Sequence, residues 1–152
     1  MATIKQPLIA VVDDDPSVVK SLARALRLAG YEVATFGSAQ AFLGAGSPLL
    51  PQCLVLDVHM PEMTGFELQD RLTAQGCCVP IIFVTAQDTP QTQTRARQAG
   101  SFGFFVKPFD PQALLGAIGE AVGSSRGLVK DIGPGKQLIC LLAGALLTLA
   151  GW

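Results

Sequence analysis

The side chains best suited to chemistry stand where short apolar runs of the sequence end. Asp13, Asp14 and Asp57 lie at the ends of two such runs, and Thr85 and Lys107 lie at the ends of two others. Clustered carboxylates repel one another and normally hold a hard cation, and a site of few carboxylates with open water positions suits Mg²⁺. A lysine and a hydroxyl beside them supply a point charge and a donor for phosphoryl oxygens, and an aspartate is a competent nucleophile for phosphoryl groups. These residue types therefore indicate phosphoryl-transfer chemistry, provided that the fold brings them together.

A parallel sheet would bring them together. Most of the five apolar runs lack polar alternation and are rich in Val, Ile, Leu and Phe, which is typical of strands buried on both faces. The predicted strands are Leu8–Val12, Glu32–Phe36, 54–57, 80–85 and 102–106. Helical stretches alternate with them, which predicts a doubly wound α/β fold with a five-stranded parallel sheet and five helices. Ligands bind beyond the carboxyl ends of such strands, so the polar residues should converge at that end of the sheet. This end of the sheet is called the rim below.

Capping signals set the limits of the predicted helices. Asp15, Thr89 and Asp110 each precede a proline, the pattern of an N-cap followed by proline at the first helical position. We therefore interpret Asp15 as a helix cap and not as a metal ligand. The predicted helices cover residues 16–29, 38–43, 65–75, 90–99 and 111 to about 122. The fourth helix offers only alanine on its apolar side, so we expect it to be weakly packed.

Composition limits the class of protein. The chain has 152 residues, a net charge of −1 and 15% charged residues, which predicts one ordinary domain and excludes a disordered, charge-rich chain. The near-neutral charge argues against direct nucleic-acid binding through a basic patch. Four cysteines without paired spacing and a single histidine argue against a zinc site. With no secretory signal in view, the cysteines are interpreted as reduced thiols of a cytoplasmic protein.

The last part of the chain departs from the strand–helix pattern. We predict a domain over residues 1–124, a linker over 125–137 and an apolar tail over 138–152, from Leu138 to Trp152, that carries no charge. As a helix the tail would span about 22 Å, short of the roughly 30 Å hydrocarbon core of a bilayer. A membrane anchor, a docking helix and a remnant without a native role all stay open, and membrane contact is the least favoured.

Four motifs carry a family resemblance. V-V-D-D-D, L-D-V-H-M-P-E-M-T-G, V-T-A and V-K-P-F, in this order and spacing, resemble the receiver domain of two-component response regulators. The resemblance runs from about Leu8 to Val122. The stretch S-A-Q-A-F-L and the K-P-F motif resemble receivers of the FixJ-like group, which precede LuxR-type DNA-binding domains. The resemblance implies the strand order 2-1-3-4-5 of CheY and flavodoxin, an order for which the family relative CheY is a standard example.

The resemblance also assigns roles at the rim. It implies that Asp57 accepts a phosphoryl group from a phosphohistidine of a sensor histidine kinase. It implies that Asp14 ligates Mg²⁺ directly, that Asp13 does so through water, and that the backbone carbonyl of His59 completes the protein ligands. In this family, side chains two residues after the phosphoacceptor modulate dephosphorylation. We expect the His59 side chain to be exposed, and it is a candidate for tuning that rate.

Further implied roles concern the response to phosphorylation. Thr85 would bond one phosphoryl oxygen, Lys107 would pair with another, and the bond from Lys107 to Pro108 would be cis. Phe104 would move inward as Thr85 is drawn to the phosphate. This motion would change the face formed by the fourth helix, the fifth strand and the fifth helix, and signal to a downstream output protein or produce a homodimer.

Two other functions stay open at this point. The first is a transcription regulator without its LuxR-type DNA-binding domain, because no helix-turn-helix follows Val122. The second is a phosphatase with an aspartate nucleophile, like the haloacid dehalogenase class. That class needs a second acid two residues after the nucleophile, and His59 stands there, which argues against it.

Overall fold

The computed structural model describes residues 6–45 and 51–123, and the predicted linker and apolar tail lie outside them. Within the described residues, five parallel strands form one sheet in the order β2-β1-β3-β4-β5. The strands are β1 (Leu8–Val12), β2 (Glu32–Phe36), β3 (Cys53–Asp57), β4 (Ile81–Thr85) and β5 (Gly103–Val106). The predicted fold class and strand order are confirmed. The last three strands each start one residue away from their predicted start, because pairing with the neighbouring strand sets where a strand begins.

Five helices connect and follow the strands. They are α1 (Pro16–Leu28), α2 (Ala39–Leu43), α3 (Gly65–Ala74), α4 (Pro90–Gln98) and α5 (residues 111–123). The side chains of Asp15, Ser38, Thr64 and Thr89 accept backbone N–H groups at the starts of the first four helices. Capping satisfies donors that a helix start would otherwise leave unpaired, so local sequence fixes where the chain turns from strand to helix.

The core has two layers, one on each face of the sheet. On one face, β1, β3 and β4 pack against α1 and α5; the residues include Ile9, Val11, Val55, Ile82, Val84, Leu22, Leu26, Leu114 and Ile118. On the other face, the same strands pack against α2, α3 and α4; the residues include Ala10, Val12, Leu54, Leu56, Phe83, Leu68, Leu72 and Ala96. Each fully buried Leu, Ile, Val or Phe contributes roughly 1.5–3 kcal/mol to folding. Burial on both faces explains why the central strands read as unbroken apolar runs.

The helix α4 contributes little to this core. It buries only small side chains, Thr92 and Ala96, as expected from its sequence.

None of the helices within residues 6–45 and 51–123 has both the length and the apolar character that crossing a membrane would require.

Gly65 begins α3 in a position that admits no side chain. Its N–H donates to the Val58 carbonyl at 2.9 Å, which draws the start of the helix against the end of β3. A Cβ at this position would overlap the Asp57 carbonyl oxygen and lie 3.1 Å from the Val58 Cα. Glycine is therefore needed for a close approach of two backbone segments.

Replacing Gly65 with alanine should destabilise the fold. We expect Gly65→Ala to lower the free energy of unfolding by about 1–3 kcal/mol, because the backbone at the end of β3 must shift to admit the methyl group. Gly116→Ala in α5 is the matched control, because a Cβ there meets nothing within 4 Å. Urea unfolding measures both variants, and equal midpoints for Gly65→Ala and the parent chain would contradict the argument.

Candidate functional site

The acidic residues predicted at the rim do come together. Asp13 follows β1 and Asp57 ends β3, and these strands pair in register with Val12 beside Leu56. One carboxylate oxygen each from Asp13, Asp14 and Asp57 lies within 4.8 Å of the others. Asp13 and Asp57 are 1% and 3% exposed, whereas Asp14 faces solvent. The site is therefore a mostly buried acidic cluster with one open side.

Lys107 reaches this cluster from the end of β5. Its Nζ lies 2.7 Å from Asp13 Oδ2 and 3.7 Å from Asp57 Oδ2. Partial burial lowers the pKa of Lys107, but the hydrogen bond to Asp13 and the charge of Asp57 outweigh this, so the net pKa lies above its ordinary value. The ammonium group therefore stays charged and is the cationic partner of two carboxylates. The peptide bond from Lys107 to Pro108 is cis.

Asp13 is held at both of its oxygens. Lys107 binds Oδ2, and the backbone N–H of Asp15 donates to Oδ1 at 2.9 Å. The Asp15 carboxylate itself accepts the N–H and the hydroxyl of Ser17, at 2.9 and 2.8 Å. These bonds from Ser17 lower the pKa of Asp15. Asp15 is therefore the cap of α1, as predicted, and its backbone helps to orient the cluster.

Thr85 is fully buried at the end of β4, but its hydroxyl is engaged elsewhere in this structure. The Gln87 N–H donates to Thr85 Oγ1 at 3.0 Å, and the hydroxyl donates back to the Gln87 carbonyl at 3.3 Å. The Thr85 carbonyl also accepts the Lys107 N–H at 2.7 Å. Sequence reasoning did not find the Gln87 contact, because a backbone partner two residues away leaves no side-chain signal.

Phe104 and His59 occupy the expected elements. Phe104 is half-buried on β5 beside Phe83, whereas Thr85 pairs with Val106 in the same ladder. Because side chains alternate along a strand, Phe104 and Thr85 share one face of the sheet, the face covered by α2, α3 and α4. His59 lies two residues beyond Asp57 with an exposed side chain. The role of its backbone carbonyl stays a prediction.

The electrostatics of the cluster fit a hard cation. Burial, and then the charge of Asp13, raise the pKa of Asp57 to about 7. The negative charge of Asp57 is therefore unfavourable at this position. The three side-chain atoms of the cluster that could ligate a metal ion are all carboxylate oxygens. Hard cations such as Mg²⁺ prefer oxygen ligands and would relieve this repulsion. The residues present therefore fit the metal that the sequence predicts.

The match to known proteins decides the family. Residues 9–119 match the response regulator receiver domain. The chain belongs to this family. Receiver domains are the phosphoacceptors of two-component signalling and not conventional enzymes: histidine kinases phosphorylate them, they bind Mg²⁺ at an acidic cluster, and they signal to output partners. The resemblance drawn from the four motifs is confirmed.

Two relatives and one solved structure give the extent of the likeness. Response regulator protein TmoT of Ectopseudomonas mendocina is 41% identical over 118 residues, which are 78% of this chain and 54% of TmoT. Transcriptional regulatory protein FixJ of Azorhizobium caulinodans is 38% identical over 117 residues, which are 77% of this chain and 56% of FixJ. A CheY-like receiver domain protein from Methanospirillum hungatei is 25% identical with a TM-score of 0.75, covering 81% of this chain and 98% of that one. This receiver domain chain thus spans about half the length of the curated relatives that it matches.

The raised pKa of Asp57 makes the stability of this receiver domain depend on pH. The pKa is about 7 in the folded protein against an ordinary value of 3.8, so the folded state binds more protons between these values. Without Mg²⁺, the free energy of unfolding should therefore fall as pH rises through this window. Asp57→Asn removes this loss, and its stability relative to the parent should grow by on the order of 2 kcal/mol between pH 5 and pH 8.

Urea unfolding in EDTA at both pH values measures this difference. Asp110→Asn is the control, because Asp110 is exposed and asparagine also caps a helix. A stability difference between Asp57→Asn and the parent that does not change with pH would contradict the assignment of the raised pKa to Asp57.

Proposed function

We propose that Asp57 is the phosphoacceptor of this receiver domain and takes the group from a phosphohistidine of a sensor histidine kinase. The observation that carries the proposal is the position of its carboxylate, buried at the rim beside Lys107, Asp13 and Asp14. An Asp57 oxygen forms a bond to phosphorus as the bond between phosphorus and the histidine nitrogen breaks. The electron pair stays on that nitrogen, and the imidazole leaves. Water later hydrolyses the acyl phosphate, and the domain promotes both steps.

The residues that would hold Mg²⁺ are Asp13, Asp14, Asp57 and the backbone carbonyl of His59. When bound, the ion supplies positive charge for the oxygens of the phosphoryl group. The buried pair of carboxylates and the open side at Asp14 support this ligand set. The exposed side chain of His59, two residues from the phosphoacceptor, tunes the rate at which water hydrolyses the phosphate.

Thr85 and Lys107 bind the remaining phosphoryl oxygens. Lys107 is already 3.7 Å from the Asp57 carboxylate, so a phosphoryl group on Asp57 enters the reach of its ammonium. The Thr85 hydroxyl must leave Gln87 and turn toward the rim. Both side chains then meet phosphoryl oxygens, which carry more negative charge than the carboxylate does alone and make charge-assisted hydrogen bonds.

The signal leaves the domain through the face formed by α4, β5 and α5. Phe104 shares a sheet face with Thr85 and is half-buried, so it has room to turn inward when Thr85 moves. A downstream output protein, or a second copy of the domain in a homodimer, binds the altered face. The near-neutral net charge supports a protein partner over direct nucleic-acid binding.

The acceptor is tested by labelling with acetyl phosphate and Mg²⁺. We expect the parent chain to gain one phosphoryl group by mass spectrometry, and Asp57→Asn to gain none, because the amide is not a nucleophile for phosphorus. Asp110→Asn should be labelled like the parent. If Asp57→Asn takes up as much label as the parent, the assignment is wrong.

The metal ligands are tested by the Mg²⁺ dependence of the same reaction. EDTA should abolish labelling, and Asp14→Asn should raise the Mg²⁺ concentration for half-maximal labelling by about tenfold or more. Asp15→Asn is the matched control, because it changes a neighbouring carboxylate that caps α1 and asparagine preserves the cap. Equal Mg²⁺ dependence of Asp14→Asn and Asp15→Asn would refute the role of Asp14.

A further inference from the structure

The helix α4 is attached to α3 by polar contacts as well as by the small apolar side chain of Ala96. The Arg95 guanidinium lies 2.7 Å from Asp70 Oδ2, with its Cζ 5.6 Å from the centre of the Phe66 ring. The Gln69 side-chain amide donates to the Ala99 carbonyl at the end of α4. These five residues are called the α3–α4 clamp below. Its α3 members, at positions 66, 69 and 70, follow the i, i+3, i+4 spacing that places side chains on one helix face.

The clamp has the features of a positioning device that is easily shifted. Since α4 buries only Thr92 and Ala96, apolar packing does little to fix its place. Arg95 and Asp70 are both about half-exposed, and such ion pairs hold weakly. Gln69 differs, because it is 7% exposed and its bond reaches across thirty residues of sequence. The clamp therefore anchors the C-terminal end of α4 at one partly buried hydrogen bond and supports its middle with an exposed ion pair.

The other end of α4 is tied to the rim. Three residues separate Thr85 from Thr89, the cap of α4. Two hydrogen bonds join the Thr85 hydroxyl to the Gln87 backbone in this short connection. When the hydroxyl turns to a phosphoryl group, both bonds break and the start of α4 is released, so α4 is then held mainly by the clamp and the clamp is loaded.

We infer that the α3–α4 clamp positions α4 and its connection in the arrangement that occupies the Thr85 hydroxyl, and so opposes phosphorylation. The inference rests on the proposed function of Asp57 and Thr85, and it names Gln69, Asp70 and Arg95 as positioning residues. Coupling of this kind is reciprocal: loosening the clamp favours the phosphorylated arrangement by the same factor as phosphorylation loosens the clamp. None of these residues touches the reacting atoms.

Two conservative variants test the clamp. Gln69→Met keeps the length of the side chain but removes the donor to Ala99, and Asp70→Asn keeps the shape but removes the charge that faces Arg95. At low acetyl phosphate, with Mg²⁺, each should be phosphorylated about two- to fivefold faster than the parent. Glu32→Gln is the matched control for a lost negative charge, because Glu32 is exposed on β2, at the opposite edge of the sheet from β5. Its rate should equal that of the parent.

The direction of the change separates positioning from damage. A variant that merely weakens the fold has fewer folded molecules and is phosphorylated more slowly, whereas the clamp variants should be less stable and yet faster. Arg95→Lys, which keeps the charge, should gain less than Arg95→Gln. The double variant Asp70→Asn/Arg95→Gln should be phosphorylated no faster than Arg95→Gln alone, because both substitutions remove the same ion pair.

The outcomes separate the two proposals. If the parent is labelled at Asp57 and the folded clamp variants are no faster, the clamp inference fails and the function of Asp57 stands. If the parent carries no label at Asp57, the proposed function fails and the clamp inference fails with it. Faster labelling of Gln69→Met and Asp70→Asn, with Glu32→Gln unchanged, establishes the clamp.

Discussion

Two carboxylates buried side by side constrain the rest of this molecule. Asp13 and Asp57 are almost fully buried at the carboxyl ends of two inner strands of an apolar sheet, where like charges repel strongly and water is scarce. Lys107 relieves part of this repulsion and the Asp15 backbone relieves a little more. Folding must therefore supply enough free energy elsewhere to hold an arrangement that is unfavourable by itself.

The architecture meets this requirement by separating stability from chemistry. Apolar residues on both faces of β1, β3 and β4 supply the stabilisation, and they lie below the rim. A parallel sheet brings the ends of all its strands to one edge, so groups from Asp13 to Lys107 meet although they are far apart in sequence. Gly65 lets α3 begin directly against the Asp57 backbone.

The sequence predicts the parts of this arrangement that have a local cause. Buried strands, capped helices and the set of rim residues follow from apolar runs, from N-cap residues such as Asp15, and from the rule that ligands bind at strand ends. The strand order follows only from the motif resemblance, because nothing local distinguishes 2-1-3-4-5 from other parallel orders. Contacts such as Gln69 with Ala99 have no local cause at all, since they depend on how two helices are placed on the sheet.

The Thr85 hydroxyl can couple phosphorylation to the position of α4, because it has one proton and occupies one position at a time. In this structure it bonds Gln87, which belongs to the connection leading into α4. In the proposed mechanism a phosphoryl group competes for the same hydroxyl with full negative charge, and a charge-assisted bond is stronger than a neutral one. The start of α4 is held when the hydroxyl bonds the Gln87 backbone, and it is released when the hydroxyl bonds the phosphoryl group. A helix fastened by apolar side chains would not respond to the loss of two hydrogen bonds, whereas one that buries only Thr92 and Ala96 can.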